Sequence, residues 1–125
     1  MNKLIFILMI AVGVVSCKNE TKSSTNEFQE LAITTTSFGV RGNCEMCKKT
    51  IENAANGVEG VANADWNVEQ KKIEVSFDGS KTNEMAIHKA IAASGYDTDK
   101  VLGNEQAYNG LPSCCQYDHN MEMNQ

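Results

Sequence analysis

Cys44 and Cys47 are separated by two residues, a spacing that lets both sulfur atoms reach a single metal ion. They follow a β-like run over residues 34–41 and precede a helix-like run over residues 48–56, so both sulfurs are expected on one exposed loop. The N–H groups and partial positive charge of a helix N-terminus favour thiolate over thiol. Because thiolate is both a metal ligand and a nucleophile, this motif is compatible with metal capture and with disulfide exchange.

A second group of soft ligands follows near the C-terminus: Cys114, Cys115, His119, Met121 and Met123. The chain from residue 101 to Cys114 spans about 40 Å when extended, which is enough to reach the first pair. Cys114 and Cys115 could therefore complete a four-thiolate site with Cys44 and Cys47, suited to zinc or a copper cluster. His119 is a candidate extra ligand beside Cys114 and Cys115. The alternatives are a separate tail site, a disulfide to the first pair, or a disordered tail.

The elements around the cysteines follow from the spacing of apolar residues. Alternating patterns predict strands over residues 34–41, 61–68, 72–77 and 96–101. Helical spacing predicts helices over 48–56 and 82–94, the second capped by Thr82. Trp66 is predicted in the core and His88 at the surface. The order β-α-β-β-α-β predicts an α+β, ferredoxin-like fold, with an antiparallel four-stranded sheet and two helices on one face.

Residues 34–101 resemble the heavy-metal-associated (HMA) domain of copper chaperones, metal-transporting ATPases and the periplasmic mercuric-ion binding protein. The stretches that carry the resemblance are residues 40–47 (VRGNCEMC), Gly60-Val61 with Ala64, Trp66 and Val68, residues 73–78 (IEVSFD) and residues 90–97 (AIAASGYD). The family usually has Gly-Met-Thr-Cys before its first thiol. Here Gly42-Asn43-Cys44 is one residue shorter and lacks that methionine, which predicts a loop of different geometry or metal preference.

The resemblance implies that Cys44 and Cys47 bind a soft ion such as Cu(I) or Hg(II) in two-coordinate fashion. It also implies that Tyr96 stands beside the metal loop and shields the ion, with a purely structural role in the core as the alternative. A structural disulfide between the two cysteines is the alternative to metal binding.

The N-terminus has the features of a signal peptide. A basic start is followed by an apolar run over residues 4–15, which is shorter than the roughly 20 residues needed to span a bilayer. Its end, Val14-Val15-Ser16-Cys17, resembles a bacterial lipobox and implies cleavage before Cys17 and lipid attachment to its sulfur. An ordinary secretory signal is the alternative.

These features divide the chain into four predicted segments. They are a lipoprotein signal peptide (1–16), a lipidated flexible tether (17–33), an HMA-like metal-binding domain (34–101) and a C-terminal extension containing Cys, His and Met (102–125). The expected location is the bacterial cell envelope, anchored to a membrane and facing the periplasm or the exterior.

The net charge of −5 and the lack of a basic cluster argue against binding to nucleic acid. No Ser/His/Asp set or carboxylate pair suggests hydrolysis, so we expect a binding protein and not an enzyme. Its cargo would be a soft metal ion, with Cu(I) favoured over Hg(II) or Zn(II). Its partner would be a membrane metal transporter or another metal-exchange protein. A thiol-disulfide oxidoreductase and a structural four-cysteine zinc protein remain as alternatives.

Overall fold

The computed structural model describes residues 32–124. Its elements are β1 (Ile33–Gly39), α1 (Glu45–Asn56), β2 (Val61–Asn67), β3 (Lys72–Asp78), α2 (Glu84–Ala93), α3 (Glu105–Asn109) and a 3-10 turn (Ser113–Cys115). The predicted signal peptide, Cys17 and most of the predicted tether lie outside the described residues, although β1 begins inside the tether segment at Ile33. No helix within residues 32–124 is long and apolar enough to cross a membrane.

The three strands form an antiparallel sheet in the order β1-β3-β2. In the register, Phe38 lies opposite Ile73, and Val75 lies opposite both Thr36 and Ala64. One face of the sheet carries the buried side chains, because successive residues of a strand point to opposite faces. The strand residues in this core are Phe38, Ala64, Trp66, Ile73, Val75 and Phe77. The predicted α+β, ferredoxin-like class and the core position of Trp66 are confirmed.

The predicted fourth strand after α2 is reduced to an isolated bridge between Val40 and Thr98. The Arg41 N–H donates a hydrogen bond to the Asp97 carbonyl (2.9 Å), as a paired strand would. The Thr98 N–H then donates to the Val101 carbonyl (2.8 Å), which turns the chain away from the sheet. Within residues 32–124 the sheet therefore has three strands, and the predicted fourth strand is present only as this bridge.

Two details of α2 differ from the sequence prediction. Its N-terminal cap is Asn83, whose side-chain oxygen accepts a first-turn backbone N–H at 2.9 Å, and not Thr82. His88, predicted at the surface, is fully buried. Its Nδ1 lies 2.7 Å from the Thr98 hydroxyl, and its ring stacks on Phe38 with 3.7 Å between centroids. The bend after α2 brings Thr98 over this histidine, which the pattern within the helix could not reveal.

The C-terminal extension folds back onto the domain, so it is not a disordered tail. Cys115 and Tyr117 join the hydrophobic core, each only 1% exposed. The Tyr117 hydroxyl accepts a hydrogen bond from the Asp97 N–H (2.8 Å) and donates one to the Gly95 carbonyl (2.8 Å). The Tyr108 hydroxyl donates to the Tyr117 carbonyl (2.7 Å). These contacts fix the extension beside the end of α2.

The last described residues continue along the same end of the sheet. The Arg41 Nε donates to the Met121 carbonyl (2.7 Å), and the Asn124 N–H donates to the Gln70 carbonyl in the β2–β3 turn (3.1 Å). Gly39 allows this close passage, because a Cβ there would lie 2.6 Å from the Cβ of Met123. The extension thus runs across the region that holds the cysteines.

Candidate metal centre

The start of α1 positions the first two cysteines. Cys44 is the N-cap residue with an extended backbone (φ −151°), and Cys47 lies in the first helical turn, so α1 begins three residues earlier than predicted. Their sulfur atoms are 3.6 Å apart. Metal–thiolate bonds of about 2.3 Å allow two sulfurs on one ion to be up to about 4.6 Å apart. One ion can therefore be bound by both thiols.

The two thiols are not equally accessible. Cys44 is half-buried, whereas Cys47 is fully buried and accepts a hydrogen bond from the Asn43 N–H at 3.4 Å. The prediction that both sulfurs lie on an exposed loop is wrong for Cys47, because helix α1 turns its side chain into the core. An incoming ion would therefore meet Cys44 first.

The Trp66 side chain packs against the loop that leads to Cys44. Its indole N–H donates to the Val40 carbonyl at 3.0 Å, which fixes the ring at the end of β1. Gly42 rests against this ring, and a Cβ at Gly42 would lie 2.9 Å from the nearest ring carbon and 3.2 Å from Ile51. The short loop, which lacks the methionine usual in HMA domains, is seated directly on the tryptophan.

The C-terminal extension brings a third thiol to the pair. The sulfur atoms of Cys44, Cys47 and Cys115 all lie within 4.8 Å of one another. Cys114 is exposed, and its sulfur lies 3.9 Å from that of Cys115 but outside this group. The four cysteines within residues 32–124 are free thiols. The structure therefore assembles three of the four thiols predicted to meet, and we name Cys44, Cys47 and Cys115 the thiol group.

His119, predicted as an extra ligand, is not brought into the thiol group. Its Nδ1 lies 2.8 Å from the carboxylate of Asp97, which also forms an ion pair with Arg41 at 3.1 Å. Its ring packs against Tyr108 and Tyr117, with centroids 4.5 Å and 5.2 Å away. The prediction for His119 is corrected on this point: its imidazole is held by a carboxylate and two aromatic rings.

Comparison with known proteins identifies the family. Residues 41–97 match the heavy-metal-associated domain. The chain is 39% identical over 54 residues to the copper chaperone CopZ of Staphylococcus aureus (strain JH9), a match that covers 43% of this chain and 79% of that protein. The chain belongs to the heavy-metal-associated domain family.

Solved structures agree with this assignment. A CopZ metallochaperone is 35% identical with a TM-score of 0.51, and the match covers 52% of this chain and 98% of that one. Oxidized MerP from Ralstonia metallidurans CH34 is also 35% identical, with a TM-score of 0.52, and the match covers 54% of this chain and 96% of that one. The sequence-based recognition of an HMA domain is confirmed. The family match ends at residue 97, so Cys115 lies beyond it.

Two members of the thiol group, Cys44 and Cys115, differ strongly in pKa. Hydrogen bonds lower the pKa of Cys44 to about 7, first from the backbone of Cys47, and also from the Cys47 thiol and the backbone of Met46. Burial raises the pKa of Cys115 to about 12, and the neighbouring thiols of Cys47 and Cys114 add to this effect. Cys44 is therefore the thiolate that is available near neutral pH, while Cys115 stays protonated until an ion displaces its proton.

Tyr96 lies beside the thiol group and inside the core. Its side chain is fully buried, and its hydroxyl has no hydrogen-bond partner within residues 32–124. Burial raises the pKa of Tyr96 well above its usual range, and Cys47 and Cys115 contribute to the increase. Tyr96 is therefore a core aromatic residue that also lies beside the metal loop, and its shielding of an ion stays a prediction.

Proposed function

We propose that this protein binds a soft heavy-metal ion, with Cu(I) as the preferred cargo, and captures it with Cys44 and Cys47 for transfer or sequestration. The observation that carries the proposal is the 3.6 Å separation of the two sulfurs at the start of α1, in a chain of the HMA family. Thiolates prefer soft ions, which favours Cu(I) or Hg(II) over Mg²⁺ or Ca²⁺. Similarity to proteins named as copper chaperones supports copper among the soft ions.

An anaerobic titration of the reduced protein tests this proposal. Cu(I), Hg(II) and Zn(II) would each be set against a competing chelator, for the wild type and for Cys44→Ser/Cys47→Ser. We expect tight one-to-one Cu(I) binding that the double substitution abolishes, with clearly weaker Zn(II) binding. Tight Cu(I) binding by the double variant would contradict the proposal.

The location and partner belong to the same proposal. The lipobox-like residues before Cys17 support a lipid anchor in the bacterial envelope, where a membrane metal transporter or another metal-exchange protein would supply or accept the ion. Labelling cells with a fatty-acid analogue should mark the wild type and not Cys17→Ala. Equal labelling of both would exclude a lipid at this cysteine.

A thiol-disulfide oxidoreductase is the second candidate, and the lowered pKa of Cys44, about 7, is the observation that favours it. A thiol with a pKa near the ambient pH is an efficient attacking group in disulfide exchange. Turnover on a protein disulfide with an added reductant, lost in Cys44→Ser, would support this activity. We favour binding because the protein is an HMA domain, and we expect no turnover above the background rate.

A structural zinc protein is less consistent with the thiol group. Structural zinc sites almost always have four protein ligands, whereas within residues 32–124 three thiols come together and His119 is held by Asp97. The Zn(II) arm of the titration tests this alternative. Zinc that could be removed only by unfolding the protein would favour it.

A further inference from the structure

We infer that Cys115 is the third ligand of the bound ion, so that the C-terminal extension converts the two-cysteine HMA site into a three-thiolate site. This inference rests on the proposed function, since it presumes that Cys44 and Cys47 capture the ion. Its basis is the convergence of three sulfurs within 4.8 Å, one of them supplied from beyond the family match. Three sulfurs at about 2.3 Å from one ion in a trigonal arrangement lie about 4 Å from one another, so none of the observed separations exceeds that spacing by more than about 1 Å.

The position of Cys115 is fixed by the fold on both sides. Its backbone N–H donates to the Pro112 carbonyl at 2.8 Å, which closes the 3-10 turn. Two residues later, the buried hydroxyl of Tyr117 is hydrogen-bonded to two backbone groups. The Asn43 side chain also donates to the Cys114 carbonyl at 3.2 Å, which ties the turn to the metal loop. A ligand held in place before binding loses little conformational freedom when the ion arrives.

The 3-10 turn gives the two adjacent cysteines different exposure. It places Cys115 in the core, 1% exposed, and leaves Cys114 exposed with its sulfur outside the thiol group. Replacing Cys114 therefore removes a neighbouring thiol without removing a ligand. This pair of residues provides a matched control within the chain.

The Tyr96 hydroxyl gives an independent indication of a ligand at this place. A buried hydroxyl without a partner is costly, and such groups are rare in folded proteins. Burial, with a further contribution from the Cys47 and Cys115 thiols, raises the pKa of Tyr96, so these two thiols lie close to its hydroxyl without being hydrogen-bonded to it. Once an ion has displaced the thiol protons, a thiolate of this pair can accept the Tyr96 O–H. That hydrogen bond would offset part of the negative charge that three thiolates leave around a monovalent ion.

A third thiolate changes how the ion leaves. In a two-thiolate HMA site, an acceptor can enter the open coordination position directly. Here Cys115 would fill that position, so the ion can be transferred only after the Cys115 sulfur dissociates from it. Dissociation is hindered because the extension that carries Cys115 is packed into the core. A three-thiolate site therefore favours retention of the ion, and sequestration or slow release of the ion is the function it suits better than rapid exchange with a partner.

X-ray absorption of the Cu(I)-loaded full-length protein tests the inference by counting sulfur neighbours of copper. We expect three in the wild type and in Cys114→Ser, and two in Cys115→Ser. Against a competing chelator, Cys115→Ser should bind Cu(I) at least about tenfold more weakly, since even residues behind the ligands contribute that much to metal affinity. Cys114→Ser should match the wild type. Transfer of Cu(I) to the chelator should be faster from Cys115→Ser.

Several outcomes are distinguishable. Two sulfurs in the wild type, or equal affinities for Cys114→Ser and Cys115→Ser, would overturn the inference and leave the proposed function intact. Tight binding by Cys44→Ser/Cys47→Ser would instead overturn the proposed function. Because burying a serine hydroxyl in place of a thiol costs stability, Cys115→Ala serves as a second variant, and circular dichroism of the metal-free proteins verifies folding. Tyr96→Phe should keep three sulfurs and bind Cu(I) about tenfold more weakly.

Discussion

The Tyr117 hydroxyl lies 2.8 Å from the backbone nitrogen of Asp97 and accepts its N–H. The same oxygen donates to the Gly95 carbonyl, so one side chain pairs two backbone groups next to the isolated bridge between Val40 and Thr98. Tyr117→Phe leaves both groups buried without this partner, and we expect a loss of about 1–3 kcal/mol in the free energy of unfolding. Urea unfolding of the reduced, metal-free protein measures the loss. Tyr108→Phe, which removes one partly buried hydrogen bond, should cost less; a larger loss there would contradict this account.

The thiols should react with an alkylating agent in a fixed order. Because hydrogen bonds lower the pKa of Cys44 to about 7 and burial raises that of Cys115 to about 12, only Cys44 of these two is substantially thiolate at pH 7. Iodoacetamide labelling at several pH values, read for each peptide by mass spectrometry, should give a rate for Cys44 that levels off above pH 7. Cys115 should stay unlabelled up to pH 9 in the folded protein. Faster labelling of Cys115 than of Cys44 would exclude this arrangement.

Gly42 is expected to tolerate no side chain. A Cβ at this position would lie 2.9 Å from the Trp66 ring, so Gly42→Ala must move the loop or the buried indole. Overpacking of this kind costs about 1–3 kcal/mol, and the shifted loop should also weaken Cu(I) binding. Gly110→Ala is the control, because its nearest contact would be an ordinary 3.5 Å. Denaturation midpoints measure the loss of stability, and chelator competition measures the loss of Cu(I) affinity. Equal losses in Gly42→Ala and Gly110→Ala would count against close packing of the loop on Trp66.

Glu84 should make the fold sensitive to acid. Hydrogen bonds from Lys100 and then Thr36 lower its pKa from 4.5 to about 2, so its stabilising effect is complete above about pH 4.5 and disappears as the pH falls towards 2. Glu84→Gln should be less stable than the wild type by about 1 kcal/mol at pH 6, after allowance for solvent screening of this partly exposed pair. The difference should nearly vanish at pH 2. Urea unfolding at both pH values measures it, and a constant difference would show that ionisation of Glu84 is not responsible.

The elements that carry the HMA family pattern could be predicted from the sequence because their signals are local. Alternation around Phe38 and Ile73 gave the strands, and the spacing of Cys44 and Cys47 before a helical run located the metal loop. The first and last residues of each element were predicted less accurately. The sequence pattern did not reveal that α1 begins early enough to include Cys47, because its first residues, Glu45 and Met46, also suit a loop.

The features that were missed depend on contacts between distant parts of the chain. His88 is buried because Thr98 and Phe38 cover it, and neither contact shows in the periodicity of α2. Cys114 and Cys115 look equivalent in sequence, and only the 3-10 turn separates one from the other. Tyr117 was not singled out as functional. The available signal was a lone aromatic residue two positions after the adjacent cysteines, in an otherwise polar segment.

β1 separates the point where the described chain enters the domain from the loop that carries Cys44. The described chain enters at the Ile33 end of this strand, and the loop to Cys44 leaves from the Gly39 end. Seven residues at about 3.4 Å each place the two ends roughly 20 Å apart. With a lipid on Cys17, as proposed, the domain would be attached through the end of the sheet farthest from its sulfurs. The thiol group would then lie at the opposite end of the sheet from the point of attachment, where the anchor itself does not cover it.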